Sequence, residues 1–328
     1  MALRFPLAVP RVTRSGAVMR EAPPARPFAG IVWMFATGLC FVAVQGIVKH
    51  LGPAIPAGQA AFLRYLMGLV FVWPMLRPLL RNGLPSLALR LALLRAVVHT
   101  AAVFSWFHAM ARIPIADVTA MNYLTPVYVT LGAALVLGER LAIRRIVAIG
   151  VALVGALVIL RPGLRELGEG HLAMLVTTLC FGVSYLIAKR QTEVISPAAV
   201  VALLSVGVTL GLAPLAALDW VAPRPGQLAW LFLVAALATA GHYCMTRAFQ
   251  AAPMAVTQPV TFLQLVWSVL MGVVLFAEPV DPFVVLGGTL IVAAVSYISW
   301  RESVLRRRAL TPPPMAELPR VDERPPAG

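Results

Sequence analysis

Apolar runs of about twenty residues recur along this chain, at 29–48, 57–76, 88–109, 114–137, 143–160, 170–188, 197–217, 226–249, 254–276 and 281–300. A helix of that length spans the roughly 30 Å hydrocarbon core of a bilayer, where a backbone with no water beside it must close its own hydrogen bonds. The runs are continuous rather than alternating, which argues against barrel strands. The loops between them are too short to hold a soluble domain. The expected fold is an all-α membrane protein with ten transmembrane helices. Composition agrees, with 60% hydrophobic residues, 12% charged residues and a mean hydropathy of +0.86, where soluble domains carry about 25% charged residues.

The net charge of +14 would point to nucleic acid in a soluble chain, but here the basic residues sit at the ends of the apolar runs. With the N-terminus in the cytoplasm, most of the 27 lysines and arginines fall on the inner side, among them Arg77, Arg81, Arg90, Arg95, Arg140, Arg144, Arg145, Lys189 and Arg190. Lys49, Arg112, Arg161, Arg165 and Arg224 fall outside. This bias predicts a multi-pass protein of the inner membrane with both termini cytoplasmic. Residues 1–27 read as a disordered basic tail, and Pro6, Pro10, Arg11 and Arg14 interrupt any signal-peptide core. Residues 301–328 read as a second disordered tail, basic and proline-rich. Cys40, Cys180 and Cys244 lie inside apolar runs with no metal-site spacing, so they read as packing residues.

One helix-length phrase is written twice. TGLCFVAVQGIVKH (37–50) and TTLCFGVSYLIAKR (177–190) share T-x-L-C-F followed by lysine, at an offset of 140 residues. ARIPIADVTAMNYLTPVYVTLGAALVLGER (111–140) likewise lies over QAAPMAVTQPVTFLQLVWSVLMGVVLFAEP (250–279). The chain therefore divides into a first repeat at 28–161 and a second at 168–300, each holding five spans. Five is odd, so the second repeat crosses the membrane upside down, placing Lys49 and Lys189 on opposite faces. Inverted repeats are the pattern of carriers working by alternating access, since two similar halves of opposite polarity can exchange which side is open.

From the third span onward the chain resembles the EamA-type carriers of the drug/metabolite transporter superfamily. The resemblance rests on Ala109, Pro114 with Ala116, Pro126, and Gly138 with Glu139, and in the second half on Ala248, Pro253 with Ala255, and Glu278. It covers about residues 28–300. Ala277 stands where the motif has glycine before Glu278, and Leu265 stands opposite Pro126. The phrases F-x-R-Y (62–65) and L-x-R (93–95) are most similar to the bacterial branch associated with S-adenosylmethionine uptake, riboflavin uptake and metallophore or amino-acid export. The resemblance implies a secondary carrier of a small organic solute.

Candidate site residues follow from polar groups placed inside apolar runs. Thr257, Thr261, Gln264 and Ser268 recur on one helical face, and Asn122 and Thr125 are the repeat counterparts of Thr261 and Gln264. These residues either line a cavity or make hydrogen bonds between helices. His99 and His242 would lie about one turn apart after superposition of the repeats; either could couple transport to protons, or serve as a hydrogen-bonded packing residue. Trp106, Tyr123, Tyr185 and Tyr243 are the aromatic groups available to stack on a planar substrate, or else act as core and interfacial anchors. Arg64 is the most costly, since a charge in mid-span carries about 2.5–3.5 kcal/mol unless it meets water or an anion. It is expected to face the cavity and bind a substrate carboxylate or hold a carboxylate partner, with snorkelling to the interface as the other reading. Glu139 and Glu278 are expected in gating or loop contacts with cations such as Arg144. Ala148, Ala152 and Ala156 form a small-xxx-small stripe for packing in the monomer or in a homodimer.

No G-x-S-x-G, H-E-x-x-H or P-loop occurs, so no hydrolase, zinc or ATP chemistry can be named. The expectation is a transporter, with no enzymatic activity, cofactor or metal. Its partners are a small-molecule substrate and the lipid bilayer. An amino-acid-like metabolite is the main reading of the substrate, with uptake of S-adenosylmethionine or riboflavin as the alternative.

Overall fold

In the computed structural model, residues 27–137, 143–164, 166–191, 193–252, 260–261 and 263–310 are described. Both chain termini, Gly138, Glu139, Pro253, Ala255, Thr257 and Pro259 lie outside them. The described residues form eleven α-helices and no β-strand: α1 (Pro27–Leu51), α2 (Ala57–Asn82), α3 (Ser86–Met110), α4 (Ile115–Asn122), α5 (Thr125–Leu137), α6 (Ile143–Leu160), α7 (Glu169–Gln191), α8 (Pro197–Leu218), α9 (Pro225–Ala251), α10 (Leu263–Phe276) and α11 (Pro282–Leu310). A single 3-10 turn, Gly52–Ala54, follows α1. By length and composition α1, α3, α7, α8 and α9 can each cross a membrane, while α6, α10 and α11 contribute shorter apolar stretches.

Local chemistry sets the boundaries. Proline opens α8, α9 and α11, where its missing N–H costs no helical bond. Ser196 caps α8 by accepting from the Ala199 amide at 3.3 Å, and Asp281 accepts from Phe283 N at 2.9 Å at the start of α11. The run 114–137 is broken into α4 and α5 at Tyr123 and Leu124, just before Pro126, which cannot donate to the carbonyl four residues back. Short bonds from Tyr123 N to Ala120 O (3.3 Å) and Leu124 N to Met121 O (2.9 Å) carry the chain through the break. Helix α11 continues past 300 to Leu310, further than the sequence expectation; Arg, Glu, Leu and Ala favour helix until Pro312.

The packing follows the sequence repeat, and its main pairs join the two halves. Helix α1 packs on α9 and α3 on α7; α2 packs on α8 and α6 on α11. The pairs α3 with α8 and α2 with α9 are likewise related by exchanging the halves, as are α5 with α7 and α1 with α10. Glycine permits a close crossing: Gly155 on α6 meets the backbone of Gly287 on α11, leaving no room for a Cβ on either. Ala148, Ala152 and Ala156 are buried on the same helix, so that stripe packs within the monomer. The C-terminal end of α1 and the N-terminal end of α7 lie at one end of the bundle, where Lys49 bonds Ile113 O at 2.8 Å and Gly170 packs against Ile113. The first helices of the two repeats thus run in opposite directions.

Candidate substrate cavity

At the α3–α7 seam, His99 Nδ1 lies 2.9 Å from Ser184 Oγ, and Arg95 donates from Nε to the same hydroxyl at 3.2 Å and from Nη1 to Gln191 Oε1 at 3.1 Å. All four residues are buried. Arg95, expected among the inner-side charges, lies about 1.4 turns past exposed Arg90 and is instead buried in the protein, compensated by neutral oxygens.

An aromatic wall adjoins this network. The Phe181 ring centroid is 5.0 Å from His99, 6.1 Å from Trp106 and 6.0 Å from Tyr185, the last pair lying parallel within 4°. Trp106 Nε1 is buried without a hydrogen-bond partner among the described residues. Tyr185 is 46% exposed although it stacks on buried Phe181, so it presents one ring face to open space. On α2, Arg64 lies over the Tyr65 ring at 4.1 Å. It is within electrostatic range of both His99 and His242, while Arg95 and Tyr65 act on Tyr185. Among the described residues Arg64 has no carboxylate partner. His242 is exposed and meets Phe41 edge-on at 5.1 Å.

Other predicted positions divide. Tyr123 donates to the Thr261 carbonyl at 2.8 Å, linking the α4–α5 break to the second half. Asn122 Oδ1 accepts from Thr125 at 3.5 Å, a local bond, and Gln264 faces Gly38 on α1. Ser268, on the same stripe, is buried in an interhelical network: Thr119 Oγ1 donates to Gln45 at 2.8 Å and lies 2.7 Å from Ser268 Oγ. Tyr243 sits apart from the wall; it packs against Trp33 and accepts from Arg247 at 3.1 Å.

At the end of the bundle near Lys49, two ion pairs and a histidine–aspartate hydrogen bond join the halves. Lys49 Nζ lies 2.5 Å from Glu278, whose other oxygen accepts from the Ile115 amide at 3.1 Å, the first N–H of α4. Buried Asp117, in the first turn of α4, pairs with buried His171 at the start of α7 at 3.0 Å. Arg161 pairs with Asp281 and lies over Phe283 at 4.6 Å. Asp117, Glu278, Arg161 and Asp281 line a cavity of about 360 Å³ at this end, separate from the aromatic wall. Sequence reading missed His171, Gln45 and Arg95; the one available signal was a polar residue inside an apolar run. It had paired Glu278 with cations such as Arg144, whereas the partner is Lys49.

The chain is similar to known transporters. A riboflavin transporter of Rhizobium johnstonii is 31% identical over 87% of this chain and 95% of its own length. An S-adenosylmethionine uptake transporter of Rickettsia prowazekii is 23% identical over 83% and 93%. A solved crystal structure shares the fold with a TM-score of 0.50 at 18% identity, over 87% of this chain and 97% of that one. Residues 28–161 and 168–300 each match the EamA-like transporter family. With two matched repeats, apolar helices of spanning length and transporters as relatives, this chain belongs to the EamA-like transporter family and is a multi-pass membrane transporter of a small molecule.

Proposed function

We propose that the protein is a secondary carrier for a planar heteroaromatic metabolite, with riboflavin the leading substrate. It works by rocking of two inverted five-helix repeats, 28–161 and 168–300, each crossing the bilayer five times. The observation that carries this reading is the contrast between the two ends of the bundle: two ion pairs and the Asp117–His171 hydrogen bond link the halves near Lys49, while the Tyr185 ring and His242 are exposed. An aromatic wall suits an isoalloxazine ring, since stacked rings gain about 0.5–1.5 kcal/mol beyond burial. Arg64 supplies hydrogen bonds to carbonyl oxygens on the ring edge, or to the carboxylate of an amino-acid-like solute. The relative named for riboflavin has the higher identity of the two compared above.

The positive-inside bias sets the closed end outward and both termini in the cytoplasm. Trp106, Tyr185, His99, His242 and Arg64 line the binding space. Asn122, Tyr123, Thr125, Thr261 and Gln264 form the seam around the broken helix, and Tyr243 anchors the inner rim. His99 and His242 are the groups that would carry a coupled proton. Reconstitution into liposomes with riboflavin, S-adenosylmethionine and amino acids, with and without a pH gradient, tests the whole reading. Saturable riboflavin flux supports it, and transport of amino acids alone overturns the substrate. Flux indifferent to the gradient removes the histidine coupling.

A further inference from the structure

A second concave surface lies between α6 and α11, lined by none of the residues of the aromatic wall. Its volume is about 350 Å³. Ala148 and Ala294, both buried, form its floor, while Val147 and Val151 form one wall. Arg144 and Tyr297 stand at its mouth. About two turns from this floor, Gly155 and Gly287 let the two helices cross closely. From Arg144 to Val151 the groove runs about 10 Å along α6.

The chemistry of the mouth differs from that of the groove below it. Tyr297 and Trp300 are half-exposed with ring centroids 6.2 Å apart, the aromatic pair expected at headgroup depth. Arg144 is exposed there, and among the described residues no carboxylate pairs with it. Arg301 follows Trp300 on α11. Below the mouth the lining is apolar. A guanidinium and a phenol above an apolar slot match a phosphodiester headgroup above an acyl chain. A neutral lipid would leave the Arg144 charge uncompensated.

We propose that this groove seats one anionic phospholipid, its phosphate held by Arg144 and Tyr297 and an acyl chain lying between Val147 and Val151 over Ala148 and Ala294. The test is native mass spectrometry of the full-length protein after delipidation, titrated separately with phosphatidylglycerol and phosphatidylcholine. One retained phosphatidylglycerol, bound about fivefold more tightly than phosphatidylcholine, is expected. Arg144→Gln should erase that preference, and Val147→Trp should block retention of either lipid. Both substitutions are at exposed positions, and unchanged thermal unfolding confirms that the variants are folded. Equal binding of the two lipids by the wild type, or undiminished preference in Arg144→Gln, overturns the proposal. Conversion of a dimer to a monomer by Val147→Trp without change in bound lipid also overturns it, by making the groove a protein interface.

Discussion

The Lys49 ammonium lies 2.5 Å from the Glu278 carboxylate, joining the last turn of α1 to the second residue after α10. The same carboxylate receives the first amide of α4, so one side chain from the second repeat holds two elements of the first. Lys49→Glu is expected to cut riboflavin flux about tenfold or more, because it puts two carboxylates where one ion pair stood. Restoration of flux in the Lys49→Glu, Glu278→Lys double variant would mark the pair as a gate. Failure of the double variant, with both proteins folded, would assign Lys49 another role.

Arg64→Gln should abolish measurable transport while leaving folded protein in the membrane. A charged hydrogen bond to substrate is worth about 1.5–3 kcal/mol, so affinity should fall about tenfold to a hundredfold. Direct binding by tryptophan quenching separates this from a folding defect, and wild-type affinity in the variant would exclude Arg64 from the site.

Tyr185→Ala should raise the KM for a planar substrate about two- to tenfold, whereas Tyr185→Phe should leave it near wild type, since the ring face and not the hydroxyl makes the contact. Equal effects of the two variants on flux would contradict stacking.

Ala277 adopts φ 51°, in the left-handed region, at the position where the family motif carries glycine. A Cβ there costs about 1–2 kcal/mol. Ala277→Gly should therefore stabilise the protein by about 1 kcal/mol, read as a raised Tm in detergent, provided Glu278 keeps its bond to the Gly272 carbonyl at 3.0 Å. No rise in Tm would mean that the turn is relaxed.

Single cysteines introduced at Lys49 and Lys189 should label from opposite sides of sealed vesicles. Labelling from one shared side would contradict the inverted topology, because the two lysines end equivalent helices.

Much of the fold was legible because each spanning helix is a local statement: twenty apolar residues declare themselves without reference to any partner. The break in the fourth run was also local, carried by Pro126. What the sequence did not disclose was pairing across the repeats. Arg95 reads as a loop charge beside Arg90 until Ser184 and Gln191 are brought to it from α7. Glu278 reads as a helix-end carboxylate until α1 delivers Lys49. Ser268 shared a helical stripe with Gln264, yet only the approach of Thr119 shows that it is spent on an interhelical bond. Periodicity assigns a face to a residue, but it does not say which helix that face meets.

The cross-matching of helices, α1 to α9 and α3 to α7, bears on how the protein is made. When the ribosome has released only the first six helices, α1 to α6, surfaces meant for α7, α8, α9 and α11 have lipid or an insertase as their only neighbours. A truncated half should be cleared by membrane proteases. The two halves co-expressed as separate polypeptides should rescue one another, since neither matures before the other arrives.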